Sequence, residues 1–279
     1  MSDLPPGWPP GRAIAVSVSV MLEGWSEGAA PGIGPMGNPL KAGVLDLQAR
    51  SWAEYGPNVG AWRLHDVLDG AGAKAVFYTS GVVAAGHPNL MRAIVDAGHA
   101  VGGHSWAQDI VPATQTRADE ARDLVRCVET LEAASGRKPR GWLSPRCTPS
   151  AGTAELLAAG GFAWHADYFD EDLPRRLDTA GGSLVAMPFT MEVNDMPLSV
   201  RYGNEPAAFT ATFERIVSEW PAPDARPYCL DITVHAHVFG RPFGAIEFQQ
   251  TLAIAREHPH VWLTDHASLA ALYAETSLR

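Results

Sequence analysis

Short apolar runs rich in β-branched residues recur along this chain, and most are followed by a stretch with helical spacing. Ala13 to Met21 alternates apolar and small residues and reads as a first strand. Ala75 to Thr79, Ala100-Val101, Gly141 to Leu143, Phe162 to Trp164, Ser183 to Met187, a run around Ile232 and Val234, and Val261 to Leu263 read as further strands. Between them lie helical patterns: one after Asn58 or Gly60 stopped by Gly70 and Gly72, one opened by His87-Pro88, and Thr116 to Ala134 with Leu124, Val125, Val128 and Leu131 on its apolar stripe. Others surround Ala154 to Ala159, capped by Ser150, Phe209 to Trp220 and Ala245 to Glu257, and a last one is capped by Asp265. Roughly eight strands alternating with helices predict a parallel sheet. With no linker between halves, one closed or nearly closed β/α barrel over residues 13–279, preceded by an extension over 1–12, is the expected fold; an open doubly wound sheet is the alternative.

Parallel β/α folds gather the carboxyl ends of all strands on one face and build sites there. Polar residues follow the strands here: Glu23, His104, Arg146, Asp167 and Asp170, Asn194, His235, His237 and Arg241, and Asp265-His266. His104 follows two glycines, which permit close backbone approach. Arg146 sits beside Pro145 on a stiff turn, placed to stabilise an oxyanion or hold a carboxylate; an ion pair with the acidic run 167–172 is its other reading. Trp106, Phe189 and Phe239 either wall an apolar pocket or pack in the core. The Gly/Pro-rich stretch from Gly28 to Pro39 reads as a cover over a site or as a disordered excursion.

A net charge of −10, from 21 basic and 31 acidic residues, argues against a nucleic-acid partner or an anionic membrane. The segment Met1 to Gly11 lacks a basic and then apolar signal pattern, and no run is long enough to span a bilayer, so a cytoplasmic address is expected. Three scattered cysteines form neither a disulfide framework nor a CxxC metal motif. Walker, GxGxxG, GxSxG and HExxH signatures are missing, which removes support for nucleotide hydrolysis, dehydrogenase chemistry and ordinary serine hydrolysis.

Four stretches resemble the polysaccharide deacetylase family: Gly98-His99 through His104-Ser105-Trp106, Gly141 through Arg146, residues 170–174 with 188–195, and His235 through Pro242. The last two take the form of the subgroup that contains metal-independent allantoinase and cyclic imide hydrolases. The resemblance implies a deformed (β/α) barrel and hydrolysis of amide C–N bonds. It also has departures. Strand one ends in Leu22-Glu23 where the family has an Asp-Asp pair, and Gln108 stands where a second metal-binding histidine is usual. No cofactor is therefore expected, and a divalent metal such as zinc, if bound, would use Glu23 and His104 with unorthodox ligands.

The expected function is hydrolysis of a small, cyclic amide such as an imide or ureide. Glu23, His104, Arg146 and His235 would be catalytic, with Glu23 as general base and the histidines moving protons. Trp106, Phe189, Asn194, His237 and Arg241 would bind substrate. Alternatives are a metal-dependent N-deacetylase of a sugar or acylated amine, and a barrel that binds a small ligand without turnover. A small-molecule amide is the expected partner, and a homo-oligomer is a further expectation.

Overall fold

The computed structural model describes residues 6–31, 40–41, 44–220 and 226–274. Among them nine strands form one sheet: β1 (Ile14–Leu22), β2 (Val76–Thr79), β3 (Ala100–Gly103), β4 (Gly141–Trp142), β5 (Trp164–Tyr168), β6 (Arg175–Thr179), β7 (Gly182–Pro188), β8 (Tyr228–His235) and β9 (Val261–Leu263). The order is β6-β7-β5-β4-β3-β2-β1-β8, every pairing parallel except the antiparallel β6–β7 hairpin. Short β9 pairs with Ile14 to Val16 of β1, below the part of β1 that meets β2.

The sheet curls into a single-domain, deformed barrel. It closes between β7 and β8 through an irregular segment. Asn194 bridges to Thr233, Thr233 N donates to Val193 O at 2.9 Å, and the Thr190 hydroxyl both accepts from Asp231 N and donates to Asp231 O. A side chain here does what a ladder does elsewhere.

The helices are α1 (Leu47–Tyr55), α2 (Ala61–Ala71), α3 (Gly81–Gly86), α4 (Pro88–Asp96), α5 (Arg117–Ser135), α6 (Thr153–Ala159), α7 (Ala207–Glu219), α8 (Pro242–Glu257) and α9 (His266–Ala274). Strand parity sorts the core into two layers. Ile14, Val16, Val18, Val20 and Leu22 of β1 join Leu64, Leu68, Ile94, Leu124 and Phe213 in the layer between sheet and helices. The alternate residues face the barrel interior, where Met21, Tyr78, Leu143, Trp164 and Met187 pack with Leu269 and Tyr273 of α9, which plugs the lower end. The same parity carries Glu23, His104 and His235 inward at the upper end. The residues that become chemistry are thus continuations of the inward rows.

Several expectations need correction. The fifth strand begins at Trp164, so Asp167 lies within it and not after it. α6 starts from Gly152; Ser150 instead accepts from Gly152 N and does not cap the first turn. Val125 is half exposed, while Cys127 takes the inner position beside Leu124, Val128 and Leu131. Phe239 is buried against Phe209, ring centroids 4.8 Å apart, and belongs to the core. Asp265 does cap α9, its carboxylate accepting from Ser268 N at 2.9 Å.

Candidate active site

Glu23 is the first residue after β1, and Gly24 beside it is fixed by space: a Cβ there would lie 2.6 and 2.8 Å from Val83 and Val82 side-chain carbons. Gly24 N donates to Ser80 Oγ, Gln108 N donates to Gly24 O, and Ser26 N donates to Asp109, so the turn is tied down on both sides. Three imidazoles surround the Glu23 carboxylate. His104 Nε2 is 3.5 Å from it, His237 Nε2 3.7 Å and His235 Nε2 3.9 Å.

These imidazoles differ. His104 Nδ1 is 2.5 Å from Leu143 O. A carbonyl can only accept, so Nδ1 carries a proton and His104 turns Nε2 towards Glu23. His235 Nδ1 donates to Asp195 at 2.6 Å, while Asp195 also accepts from His235 N and Phe239 N. Burial works against charge on His235, but Asp195 and then Glu23 raise its pKa above the ordinary histidine value. His237 is buried between Trp25 and Trp52, with ring centroids at 5.5 and 4.3 Å, and burial pushes its pKa down to about 3. Burial alone would raise Glu23; His235, the His104 contact and His237 together hold its pKa down to about 2. The centre is therefore an ionised carboxylate among three imidazoles, with the charged form favoured at His235 and disfavoured at His237.

Above it opens a cavity of about 980 Å³ whose lining includes Glu23, His104, His235, Trp25, Phe189 and Asn194, with Arg146 and Arg201 among its polar members. Arg146 has φ 59° and Cys147 φ 50°, consecutive non-glycine residues in the left-handed region. Asp167 holds their turn: its carboxylate accepts from Ser144 N at 2.9 and 3.1 Å and from His165 Nε2 at 2.5 Å. With Asp167 so engaged and Asp170 paired to Arg175, the acidic run does not take Arg146. Cys147 lines the cavity as a thiol; burial, Asp167 and Glu23 raise its pKa well above normal, so it is not a ready nucleophile.

The structure therefore brings Glu23, His104, Arg146, His235, Phe189 and Asn194 to one cavity. Trp106, His237 and Arg241 are placed elsewhere. Trp106 lies under the Arg126 guanidinium and fills the space above Gly81. His237 backs Glu23 from behind. Arg241 stacks on Tyr55 at 4.0 Å from the ring centroid. Sequence reasoning passed over Asp195, although it adjoins Asn194 in the same exit, and Arg201, whose segment carries no strand or motif signal. Asn194 is buried and its Oδ1 accepts from Met196 N, so it shapes the wall.

The metal triad implied by the resemblance does not fit these residues. Gln108 donates its amide to Ser80 Oγ and His104 O, and among the described residues no three His, Cys, Asp or Glu side chains are grouped to hold an ion. No helix among the described residues is long and apolar enough to cross a membrane.

Residues 53–164 match the polysaccharide deacetylase family model, a span that includes His104 and Arg146 but neither Glu23 nor His235. A peptidoglycan deacetylase of Helicobacter pylori is 30% identical over 105 residues, 38% of this chain and 36% of that protein. A putative polysaccharide deacetylase of Schizosaccharomyces pombe is 23% identical over 96% of this chain and 92% of its own length. Among solved structures, the Puue allantoinase superposes with a TM-score of 0.85 at 25% identity, covering 98% of this chain and 94% of that one.

Proposed function

The chain belongs to the polysaccharide deacetylase family of carbon–nitrogen hydrolases, and from that premise we propose that it opens a small cyclic amide, an imide or a ureide. The observation that carries this reading is the Glu23 carboxylate ringed by His104, His235 and His237 on the cavity floor, with Gln108 turned away. A water held between Glu23 and His104 Nε2 donates a hydrogen to each and aims its oxygen lone pair at a carbonyl above. With its pKa at about 2, Glu23 is a weak base, so its part is to orient the water and to offset the charge on His235. The base is His104 Nε2, oriented by the Nδ1 contact with Leu143 O, and it takes the proton as the new C–O bond forms. His235, whose protonated form Asp195 favours, polarises the carbonyl and gives its proton to the nitrogen as the C–N bond breaks. One water is consumed, and the products are a carboxylate and a freed amine, amide or urea nitrogen.

The test is a hydrolysis screen of cyclic imides and ureides on purified, chelator-treated protein with elemental analysis alongside. Turnover without bound metal that falls at least about a hundredfold in Glu23→Gln and in His104→Ala agrees with the proposal. One stoichiometric metal that is lost in His104→Ala, with turnover of N-acetylated sugars instead, would replace it by the deacetylase reading. Turnover of neither class, with tight ligand binding, would leave a binding barrel.

A further inference from the structure

The cavity is much larger than a bare five- or six-membered ring requires; at about 980 Å³ it stands at the upper end of small-molecule sites. Its polarity is also divided. Its lining includes Glu23, His104 and His235, the apolar Phe169, Phe189, Met191 and Val200, and the solvent-exposed Arg146 and Arg201. Arg201 ends a π-helical turn (Met196–Arg201), and Arg146 sits at the left-handed turn after β4. Both are irregular backbone of the kind that recurs at functional sites.

Neither guanidinium has an ion-pair partner among the described residues. The carboxylates nearby are engaged: Asp109 accepts from Ser26 N, Asp167 from Ser144 N and His165, and Asp170 pairs with Arg175. In a chain of net charge −10, two unpaired arginines over one cavity are a local reversal of sign. Both arginines are exposed to solvent where they line the cavity, so a ligand can reach them. An arginine fork matches a carboxylate bidentately, and such charged hydrogen bonds are stronger than neutral ones.

We propose that the substrate is an anion, its scissile amide seated at Glu23, His104 and His235 and a carboxylate on an apolar arm held by Arg146 and Arg201. This rests on the ring-amide reading for the nature of the scissile group, whereas the anion preference stands on the arginines alone.

Calorimetric titration separates the two. The probes are hydantoin and hydantoin-5-acetate, which differ by one carboxymethyl group, and the proteins are wild type, Arg201→Gln, Arg201→Lys and Arg140→Gln. Arg140 borders a separate pocket with Gly98, His99 and Asp265 and serves as the charge control. Wild type is expected to bind the acetate at least tenfold more tightly than the neutral ring. Arg201→Gln should weaken the acetate about ten- to a hundredfold and the neutral ring far less, the range for loss of a hydrogen bond between charged groups. Arg201→Lys should recover part of that loss, and Arg140→Gln should leave the preference intact. Equal affinity for the two probes in wild type, or an equal loss for both in Arg201→Gln, would overturn the proposal. Anion-selective binding without turnover of either ring would keep it and sink the ring-amide reading instead.

Discussion

Burial would push the Glu23 carboxyl towards its neutral form, and burial would strip the proton from His235; each is kept charged chiefly by other groups, His235 for Glu23 and Asp195 for His235. The two charges are one arrangement, and Asp195 is the piece that sustains it. Asp195→Asn keeps an oxygen able to accept from Nδ1 but removes the charge, so the pKa of His235 falls. If His235 must be protonated to act, the alkaline limb of kcat/KM moves to lower pH, and activity near pH 8 drops about tenfold or more. The sign for stability follows. A histidine raised above 6.5 in the folded state contributes stability that is fully present below its unfolded pKa and is lost as pH rises through the folded one. The stability gap between wild type and Asp195→Asn should therefore be widest in acid and close towards alkaline pH. A pH–rate profile and denaturant melts at several pH values check both. An alkaline limb that does not move would remove His235 from the proton path.

At the scale of elements, the loop after β8 is held by contact between glycines. A Cβ on Gly60 would lie 1.8 Å from Ala236 O, and one on Gly240 would lie 2.0 Å from the same oxygen and 2.5 Å from Gly60 Cα. Arg63 adds a hydrogen bond to Gly240 O. This seam holds the 236–240 loop against the turn before α2, with His237 packed on Gly56. Gly60→Ala is expected to cost about 1 to 3 kcal/mol in urea unfolding and to lower kcat, because the loop must move to admit the methyl group. Unchanged stability and kcat would show that the seam does not position the histidines. Elements also explain what was legible. β1, β8 and their exits could be read because period-two alternation continues from the strand into Glu23 and His235. α1 could not, since it buries only Ala49 and Ala53 while Leu47 is 65% exposed, which leaves no apolar stripe. The β6 strand, with the sequence Arg175-Arg176-Leu177-Asp178-Thr179, is only partly buried and carries charge where a strand signal needs apolar residues. Asp195 and Arg201 lie in a segment whose geometry comes from closing the barrel, and local sequence carries no mark of that closure.

Across the whole molecule the barrel divides its labour along its axis. The upper end carries the site, and the lower interior carries a second, closed polar group. Asp231 accepts from Ser17 Oγ at 2.6 Å and Thr233 Oγ1 at 2.7 Å, and His266 Nε2 approaches it at 3.3 Å. His266 also stacks with Trp164 and meets Tyr78 edge-on, so α9 is joined to three strands through one ring. Burial would raise the Asp231 pKa, but His266 first and then Ser17 and Ser19 bring it below the usual aspartate value. A carboxylate lowered in the folded state contributes stability present above its unfolded pKa and lost as pH falls through the folded one. His266→Ala removes the group that most lowers the Asp231 carboxyl and opens space in the stack, so it should cost about 2 to 5 kcal/mol at neutral pH, the range for large-to-small changes in a packed interior. The loss should shrink below about pH 4, where Asp231 can take a proton and no longer needs a partner. Denaturant melts of the two proteins from pH 3 to 8 measure this directly. A loss that stays constant with pH would mean that His266 acts by packing alone. Because this group lies below the site, kcat per folded molecule should be unchanged in the variant, and a large fall in kcat would show that the two ends of the barrel are coupled.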